Sequence, residues 1–315
     1  MKVSLVVTVL NEEPSINALL ESIIYQIKKP DEIIFVDGGS SDKTCDIIKK
    51  YQNNSKKIKL LEFKTARSEA RNIGIKSSTG DIIVTTDAGC IAEKHWIKRI
   101  TDPFKDLKVD MVAGFYEMIV NDSPVRRAMS VFIGITPDKF DNHFLASARS
   151  MAFRKSLWKK VGGFPEGLKD TAEDTMFNYN VIRSGAKIVR VKDAIVYWQL
   201  PLTLLEGIKK IYLYAKGDVK SGIWWHPVKR FSTHNIKIIF VYFRYIIALY
   251  LLLLACIYKI FELPFVLGVT YYMFWAFRKV YYQTNNIKAG LYGIFIQIAS
   301  DFAVMGGFIS GLVSI

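Results

Sequence analysis

The chain is poor in cysteine and histidine, with three cysteines and four histidines among 315 residues. Cys45, Cys90 and Cys256 form no C-x-x-C pair, which disfavours both a disulfide scaffold and a zinc site. The histidines are scattered without the spacing of metal ligands, so we expect them to be structural. This cysteine usage is typical of a folded domain in a reducing compartment.

Acidic residues are few relative to basic ones: the chain has 29 Asp and Glu and 43 Lys and Arg, which gives a net charge of +14. Such an excess suits nucleic acid, an anionic membrane surface or phosphate-bearing substrates. The chain lacks zinc-finger spacing and basic heptads, so nucleic acid is not an expected partner. Much of the excess borders the apolar C-terminal region and favours a basic belt beside a membrane: Lys209, Lys210, Lys216, Lys220, Lys229, Arg230 and Lys237.

The N-terminal apolar run lacks a small-residue cleavage site, and acidic residues follow it directly. We therefore predict a first β-strand over residues 3–10 rather than a signal peptide. Further strand-like runs at 32–36, 58–63, 81–86 and 109–118 alternate with helical periodicity, which is typical of βαβ units and a parallel sheet. After a helix predicted over 92–100, the pattern is irregular from about 119 to 155, and a last strand is predicted at 186–191.

Polar motifs follow the first two predicted strands, where a parallel sheet collects its ligands. The sequence TVLNEE occupies residues 8–13, and DGGSSD occupies residues 37–42. Asp-Gly-Gly-Ser alone is also an ordinary tight turn. The adjoining Lys43-Thr44 pair lacks the preceding glycine of a P-loop, which disfavours a P-loop NTPase.

Together these two motifs resemble the nucleotide-binding half of family 2 glycosyltransferases of the GT-A fold. The resemblance implies that Thr8, Leu10 and Glu12 line the base of a nucleotide sugar and that Asp37 accepts a hydrogen bond from the base. It implies an α/β fold with a Rossmann-like, mostly parallel central sheet flanked by helices. A C-terminal transmembrane helical region would follow that domain.

A second pair of motifs consists of ARNIG at residues 70–74 and GDIIVTTDAG at residues 80–89. Similar segments in the family place an arginine near the nucleotide and a D-x-D cluster at the diphosphate, where a divalent metal neutralises the leaving group. Gly89 stands where the second acid is expected, so Asp87 is the remaining acid. We expect Mg or Mn at Asp87 and the donor phosphates, or Arg67 and Arg71 sharing the role of the metal. The alternative for Asp87 is a helix cap.

A third block, from GGFPEGL at residues 162–168 to Glu173-Asp174, resembles the acceptor half of the same family. Inverting transfer needs a carboxylate beside the acceptor oxygen to take its proton. The resemblance assigns Asp174 as that base. Glu173 would orient the acceptor or raise the pKa of Asp174. The alternative is a capping box over residues 171–174.

Three apolar segments follow, at about 236–257, 263–280 and 289–313. The first and third are long enough for a bilayer core of about 30 Å, and the second is near the limit, so two or three transmembrane helices are predicted. Arg244 and Asp301 interrupt the apolar runs and are expected to pair or to face a cavity. Basic residues in the last connector, Arg278, Lys279 and Lys288, predict a multi-pass cell-membrane protein with a cytoplasmic N-terminal domain. A buried helical hairpin in a soluble protein is the alternative.

We divide the chain into a catalytic domain over 1–220 and a membrane domain over 221–315. The catalytic domain comprises a nucleotide-sugar-binding half (1–118), an acceptor half (119–197) and a region at 198–220. This last region resembles the segment that links such domains to the membrane. It is expected to carry an amphipathic interfacial helix, with a core-packing helix as the alternative.

The resemblance implies an inverting glycosyltransferase that uses a UDP- or GDP-sugar. The acceptor would be a lipid-linked glycan, a polyprenyl or dolichyl phosphate, or a polysaccharide. Membrane lipids are further expected partners, and oligomerisation is left open. The alternative is a catalytically degenerate nucleotide-sugar-binding or scaffolding membrane protein, which Gly89 motivates. The short spans and the lack of a Q-x-x-R-W sequence disfavour a processive polysaccharide synthase.

Overall fold

The computed structural model describes residues 1–120, 122–167, 172–231 and 233–314. The strands are β1 Val3–Val9, β2 Glu32–Asp37, β3 Ile58–Glu62, β4 Ile82–Asp87, β5 Cys90–Ala92, β6 Met111–Ile119, β7 Met151–Arg154 and β8 Ile188–Gln199. The α-helices are α1 Ile16–Ile24, α2 Thr44–Asn54, α3 Arg67–Ser77, α4 Trp96–Thr101, α5 Pro124–Ile133, α6 Lys155–Lys160, α7 Glu173–Arg183, α8 Leu204–Lys220, α9 His234–Ile257, α10 Glu262–Thr284 and α11 Ile287–Val313.

The described residues form two compact units. One unit consists of Met1–Ile119 and Pro137–Gln199, and the other of Val120–Thr136 and Leu200–Ile315. Helices α5 and α8, which the sequence analysis assigned to the catalytic domain, therefore group with the C-terminal helices. The division into a catalytic domain that ends at residue 220 and a membrane domain that follows it stays a prediction.

The first unit is built on one sheet with the strand order β3-β2-β1-β4-β7-β6-β8-β5. Strands β3, β2, β1 and β4 run parallel to one another, and β7 is antiparallel to both β4 and β6. Both faces of β1 are covered, as its continuous apolar sequence predicts, since the adjacent residues Val6 and Val7 point to opposite faces and are both buried. The structure confirms the predicted α/β class with a mostly parallel sheet.

Three secondary-structure predictions were wrong in detail. The chain adds the short strand β5 after β4, so the helix predicted from residue 92 begins at Trp96. The stretch that we predicted to be irregular contains α5 and β7. The last strand extends to Gln199, because Ala194, Val196 and Trp198 alternate as buried residues beyond the polar Lys192-Asp193 pair that interrupts the sequence pattern.

Helix α3 lies close against β1, and Gly74 makes that approach possible. A Cβ atom at Gly74 would lie 2.5 Å from Cγ1 of Val6 and 2.9 Å from Cγ2 of Val36. Real Cβ atoms essentially never make such short contacts, so a larger residue would push the helix away from the sheet. This packing fixes the distance of Arg71, one turn earlier on the same helix, from the sheet.

The second unit consists of α5 and α8–α11, and α11 contacts each of the other four helices. Glycines allow this close packing: a Cβ at Gly293 would lie 2.6 Å from Val280, and one at Gly311 would lie 2.8 Å from Val219. Within the described ranges, three helices are long and apolar enough to cross a membrane, namely His234–Ile257, Lys259–Thr284 and Ile287–Val313. The second is longer than the sequence analysis predicted. In each of the first two helices, only 6% of the 18-residue apolar segment is buried inside the protein. These exposed apolar surfaces support membrane association.

Candidate active site

Two aspartates end the strands on either side of β1. Asp37 is paired in register with Val9, and Asp87 is paired with Thr8. Both carboxylates therefore lie at the carboxyl edge of the parallel sheet, where such folds collect ligands. The predicted base-lining residues follow at the same edge: Thr8 and Glu12 are partly exposed, and Leu10 is 54% exposed.

The Asp37 carboxylate organises the turn that follows β2. It accepts hydrogen bonds from the backbone N–H groups of Gly39 and Ser40 at 2.9 and 3.0 Å, and from the Ser40 hydroxyl at 2.5 Å. Asp37 is 3% exposed. The tight-turn interpretation is therefore present in the structure, and base reading by Asp37 stays a prediction.

Arg71 is the centre of a buried ion-pair network. Its guanidinium group lies 3.2 Å from Oδ1 of Asp87 and 2.9 Å from Oε1 of Glu173, and its side chain is 1% exposed. The ring of Phe164 lies 5.0 Å from the guanidinium carbon. One arginine thus joins the carboxylate predicted at the diphosphate to the carboxylate pair predicted at the acceptor.

Asn72 fixes the Gly-Gly-Phe turn beside this network. Its Oδ1 accepts hydrogen bonds from the Trp158 indole and the Phe164 backbone, both at 3.0 Å. Its Nδ2 donates to the Phe164 carbonyl at 2.8 Å. Gly163 has a positive φ of 78°, and a Cβ there would lie 3.0 Å from Asn72. The arginine–asparagine pair of α3 therefore contacts both the end of β4, at Asp87, and the Gly-Gly-Phe turn.

Glu173 and Asp174 begin α7 directly after a residue with unusual backbone geometry. Ala172 has a φ of 76°, in the left-handed region that alanine rarely adopts. Such strained residues cluster at functional sites, since surrounding contacts must hold them in place. The capping box predicted at 171–174 depends on Thr171, which lies outside the described residues, as does Leu168 of the Gly-Gly-Phe motif.

Asp174 is held beside the loop that precedes β7. Its carboxylate accepts hydrogen bonds from the Ala148 backbone at 3.3 Å and the Thr175 backbone at 2.8 Å. Burial, followed by the neighbouring Glu173 charge, raises the pKa of Asp174 to about 6, and Arg71 opposes the shift. A carboxylate with this pKa can take a proton near neutral pH.

Arg149 is a site residue that the sequence analysis missed. Its Nε lies 3.7 Å from Oδ2 of Asp87, and its side chain is 15% exposed. The guanidinium carbon lies 4.9 Å from the ring centroid of Tyr116 and 4.2 Å from that of Trp198. Arg149 falls in the stretch predicted to be irregular, and Trp198 was assigned to a linking segment, so no motif indicated their meeting.

The predicted cation Arg67 lies at the first residue of α3, one helical turn before Arg71, and is exposed. Arg71 and Arg149 flank Asp87, whereas Arg67 stands at the exposed start of the helix. A soluble anionic ligand can therefore reach Arg67 from the solvent.

Asp87 is the acid at which we predict the divalent metal. In the described ranges no group of three or more His, Cys, Asp or Glu side chains could hold a metal ion by itself. The space beside Gly89 is open, and the atom nearest to a Cβ placed there is Oε2 of Glu12, at 4.0 Å. The Glu12 carboxylate therefore borders this space, and Asp87 ends β4 two residues before Gly89, which fits a metal whose other oxygen ligands come from a bound diphosphate.

A comparison of the sequence with known families decides the affiliation. The sequence profile described as "Glycosyl transferase family 2" matches residues 4–162, about half of the chain. The chain belongs to this family. The matched segment contains Asp37, Arg71, Asp87 and Arg149, and it ends at the Gly-Gly-Phe turn.

Similar proteins are glycosyltransferases by name. Glycosyltransferase AglE of Haloferax volcanii is 26% identical over 172 residues, which cover 53% of this chain and 57% of AglE. Probable glycosyltransferase YdaM of Bacillus subtilis is 28% identical over 238 residues, which cover 69% of this chain and 55% of YdaM. This family 2 chain thus spans a little over half the length of these two relatives.

Solved structures show the same fold. TarS 1–349 of S. aureus, in complex with UDP-GlcNAc, has a TM-score of 0.53 at 21% identity and covers 70% of this chain and 67% of TarS 1–349. The mannosyltransferase PcManGT of Pyrobaculum calidifontis, in complex with GDP-Man and Mn2+, has a TM-score of 0.54 at 20% identity and covers 70% of this chain and 64% of PcManGT. At these identities the likeness establishes the fold alone.

Proposed function

We propose that this family 2 protein is an inverting glycosyltransferase that uses a UDP- or GDP-sugar and a lipid-linked acceptor. The observation that carries the proposal is the contact of the buried Arg71 with both Asp87 and Glu173. A donor diphosphate near Asp87 and an acceptor near Asp174 would then share one rigid support. Preorganised charges of this kind are the main source of catalysis in group transfer.

In the proposed reaction, the acceptor oxygen attacks the anomeric carbon from the face opposite the nucleoside diphosphate. A new C–O bond forms as the bond to the diphosphate breaks. Asp174 takes the acceptor's proton, and the leaving diphosphate carries the electron pair of the broken bond. Arg71 and Arg149 lie beside Asp87 and offset the negative charge that develops there.

A Mg or Mn ion held by Asp87, with Glu12 at the edge of the same space, would neutralise the diphosphate when bound. Thr8 and Leu10 would line the base, Asp37 would contact it, and Arg67 would meet the phosphates. Glu173 would act through Arg71 and Asp174 rather than on the substrate directly. These assignments rest on the positions of the residues at one sheet edge.

The lipid-linked acceptor is supported by one relative and by the apolar helices. The undecaprenyl-phosphate 4-deoxy-4-formamido-L-arabinose transferase of Pectobacterium carotovorum is 36% identical over 106 residues, 32% of each chain. Helices α9–α11 would anchor the present chain in the membrane. The cations Arg278, Lys279 and Lys288 favour the cytoplasmic side for the connector between α10 and α11, and hence for the N-terminal unit.

The test is release of UDP or GDP by the purified full-length chain from a panel of sugar nucleotides, with a lipid-linked saccharide as the acceptor, because its hydroxyl group carries the proton that Asp174 would take. We expect turnover with at least one donor, reduced roughly 10²- to 10⁴-fold by Asp174→Asn because the base is lost. Asp138→Asn, at an exposed position of the same unit, is the matched control and should retain wild-type turnover.

The second candidate is a non-catalytic protein that binds nucleotide sugars, and Gly89 in the D-x-D position is the observation that favours it. Calorimetric binding of the same donors distinguishes the two. Binding without turnover, for every donor and with either metal, would establish the second candidate and overturn the first.

A further inference from the structure

Helix α10 of the second unit places two cations on one face near the end of an apolar segment. Its residues 263–277 carry no charge, whereas Arg278 and Lys279 follow directly. Trp275, Arg278, Lys279 and Tyr282 are spaced at i, i+3, i+4 and i+7, so they share one helix face, here called the cationic face. This face borders a recess of about 350 Å³, together with Gln283.

Asp301 is the acid of the polar network beside this face, and it is paired with Arg244. Asp301 on α11 is 3% exposed, and its Oδ2 lies 2.5 Å from Nη2 of Arg244 and 2.6 Å from the Tyr272 hydroxyl. Its Oδ1 accepts a hydrogen bond from Gln297 at 2.8 Å. The ion pair that the sequence analysis predicted as one option for Arg244 and Asp301 is therefore formed.

Lys279 contacts an amide oxygen and an aromatic ring of neighbouring helices. Its ammonium group donates to Oε1 of Gln297 at 3.0 Å and lies 4.0 Å from the ring centroid of Phe132. Arg278 lies over the Tyr282 ring at 4.9 Å. Among the described residues that line the recess there are two cations and no acid, so its lining carries a charge of +2.

We propose that the cationic face binds the phosphate of an anionic lipid. The position of the cations along α10 favours a lipid as the ligand. They follow directly after the apolar run, at the level where the headgroups of a bilayer would lie. Trp275 is 37% exposed and Tyr282 is 70% exposed, and such amphipathic rings are enriched at the level of the headgroups. Basic clusters beside membrane helices attract anionic headgroups. The inference does not depend on the proposed transfer reaction.

The simplest rival is a structural role, because cations are also favoured at the C-terminal end of a helix. On that account the two cations stabilise α10 and have no preference among lipids. The rival and the proposal therefore differ in lipid selectivity rather than in stability, and both quantities can be measured on the same samples.

The experiment uses the full-length chain in nanodiscs of phosphatidylcholine with a minor fraction of phosphatidylglycerol, and native mass spectrometry counts the lipids retained. We expect enrichment of phosphatidylglycerol, reduced on the order of fivefold for each cation removed in Arg278→Gln/Lys279→Gln. Lys259→Gln is the matched control, because Lys259 is exposed just before the opposite end of α10 and its loss should leave the enrichment unchanged. If the double variant does not fold, Arg278→Gln alone should still lose about fivefold.

Three results would overturn the proposal. Unchanged enrichment in the folded double variant, with only its melting temperature lowered, would establish the structural rival. An equal loss in Lys259→Gln would show general attraction by surface charge. Displacement of the retained lipid by millimolar inorganic phosphate would show a site for a soluble anion.

Discussion

Each unit of the chain pairs an arginine with a buried carboxylate, but the centre of the network differs. In the first unit the arginine is central, since Arg71 contacts Asp87 and Glu173 from two different motifs. In the second unit the carboxylate is central, since Asp301 accepts hydrogen bonds from helices α9, α10 and α11. The first network holds two acids around one cation, and the second holds one acid within a set of donors.

This difference indicates which network can perform chemistry. Buried carboxylates that outnumber their nearest arginine repel each other, and one of them gains a raised pKa. Asp174 shows this effect, with a pKa of about 6 that follows from its burial and from the Glu173 charge. Asp301 has each oxygen occupied by donors from its own unit, so we interpret its network as a support that holds three helices together.

Removing the central arginine of the first unit should have the largest effect. Arg71→Met would leave Asp87 and Glu173 without their shared cation, and breaking a buried ion pair costs about 3–5 kcal/mol. We expect this loss in the free energy of unfolding, measured by denaturant titration. Lys76→Met, at an exposed position of the same helix, is the matched control and should stay within about 0.5 kcal/mol of wild type.

Removing the central acid of the second unit should cost less and leave the first unit intact. Asp301→Asn keeps the shape of the side chain but removes the charge that pairs with Arg244, and polar contacts between membrane helices contribute about 1–2 kcal/mol. We expect a lower thermal midpoint in detergent, with the Kd for nucleotide sugar within twofold of wild type. The exposed Glu262→Gln on α10 is the control. A large loss of nucleotide affinity would contradict the separate roles of the two networks.

Arg149→Lys tests the second cation beside Asp87. Lysine keeps the charge but lacks the planar group that lies against Tyr116 and Trp198 and could bind two phosphate oxygens at once, and losing one such hydrogen bond costs about 1–2 kcal/mol. We expect roughly a 5- to 30-fold weaker Kd for the donor, by calorimetry. Equal affinity would show that Arg149 supports the sheet and does not meet the diphosphate.

Gly89→Asp tests which groups supply the metal ligands, and of these variants it should change the stability least. A side chain fits here, because the nearest atom to its Cβ is 4.0 Å away, and the added carboxylate would complete the D-x-D pattern. We expect Mn affinity to rise roughly tenfold in the presence of UDP or GDP, measured by electron paramagnetic resonance. An unchanged affinity would indicate that Glu12 or the diphosphate already supplies the ligands.

The sheet and its polar edge could be predicted from the sequence. Continuous apolar runs predicted β1, β2 and β4, and the aspartates that end β2 and β4 had to lie at the same sheet edge because both strands pair in parallel with β1. The contact of Arg71 with Glu173 could not be predicted in the same way. These residues are 102 positions apart, and the Gly-Gly-Phe turn that brings them together depends on the side chain of Asn72.

Arg149 and the grouping of the helices lay beyond the sequence patterns. Arg149 precedes a four-residue strand that is too short for a periodic signal, and its aromatic partners come from β6 and β8. Helix α5 interrupts the first unit in sequence but packs against α8 and α11. Periodicity identifies an amphipathic helix, but it does not identify the surface that the helix covers.

The most direct test of Asp174 as the base is the pH dependence of kcat/KM for wild type and Glu173→Gln. Below its pKa Asp174 is protonated and takes no proton, so the wild-type rate should fall as the pH drops through about 6. Removing the Glu173 charge lowers the pKa of Asp174, so the fall should move to lower pH in the variant. A fall that stays at the same pH, or one that persists unchanged in Asp174→Asn, would contradict this assignment.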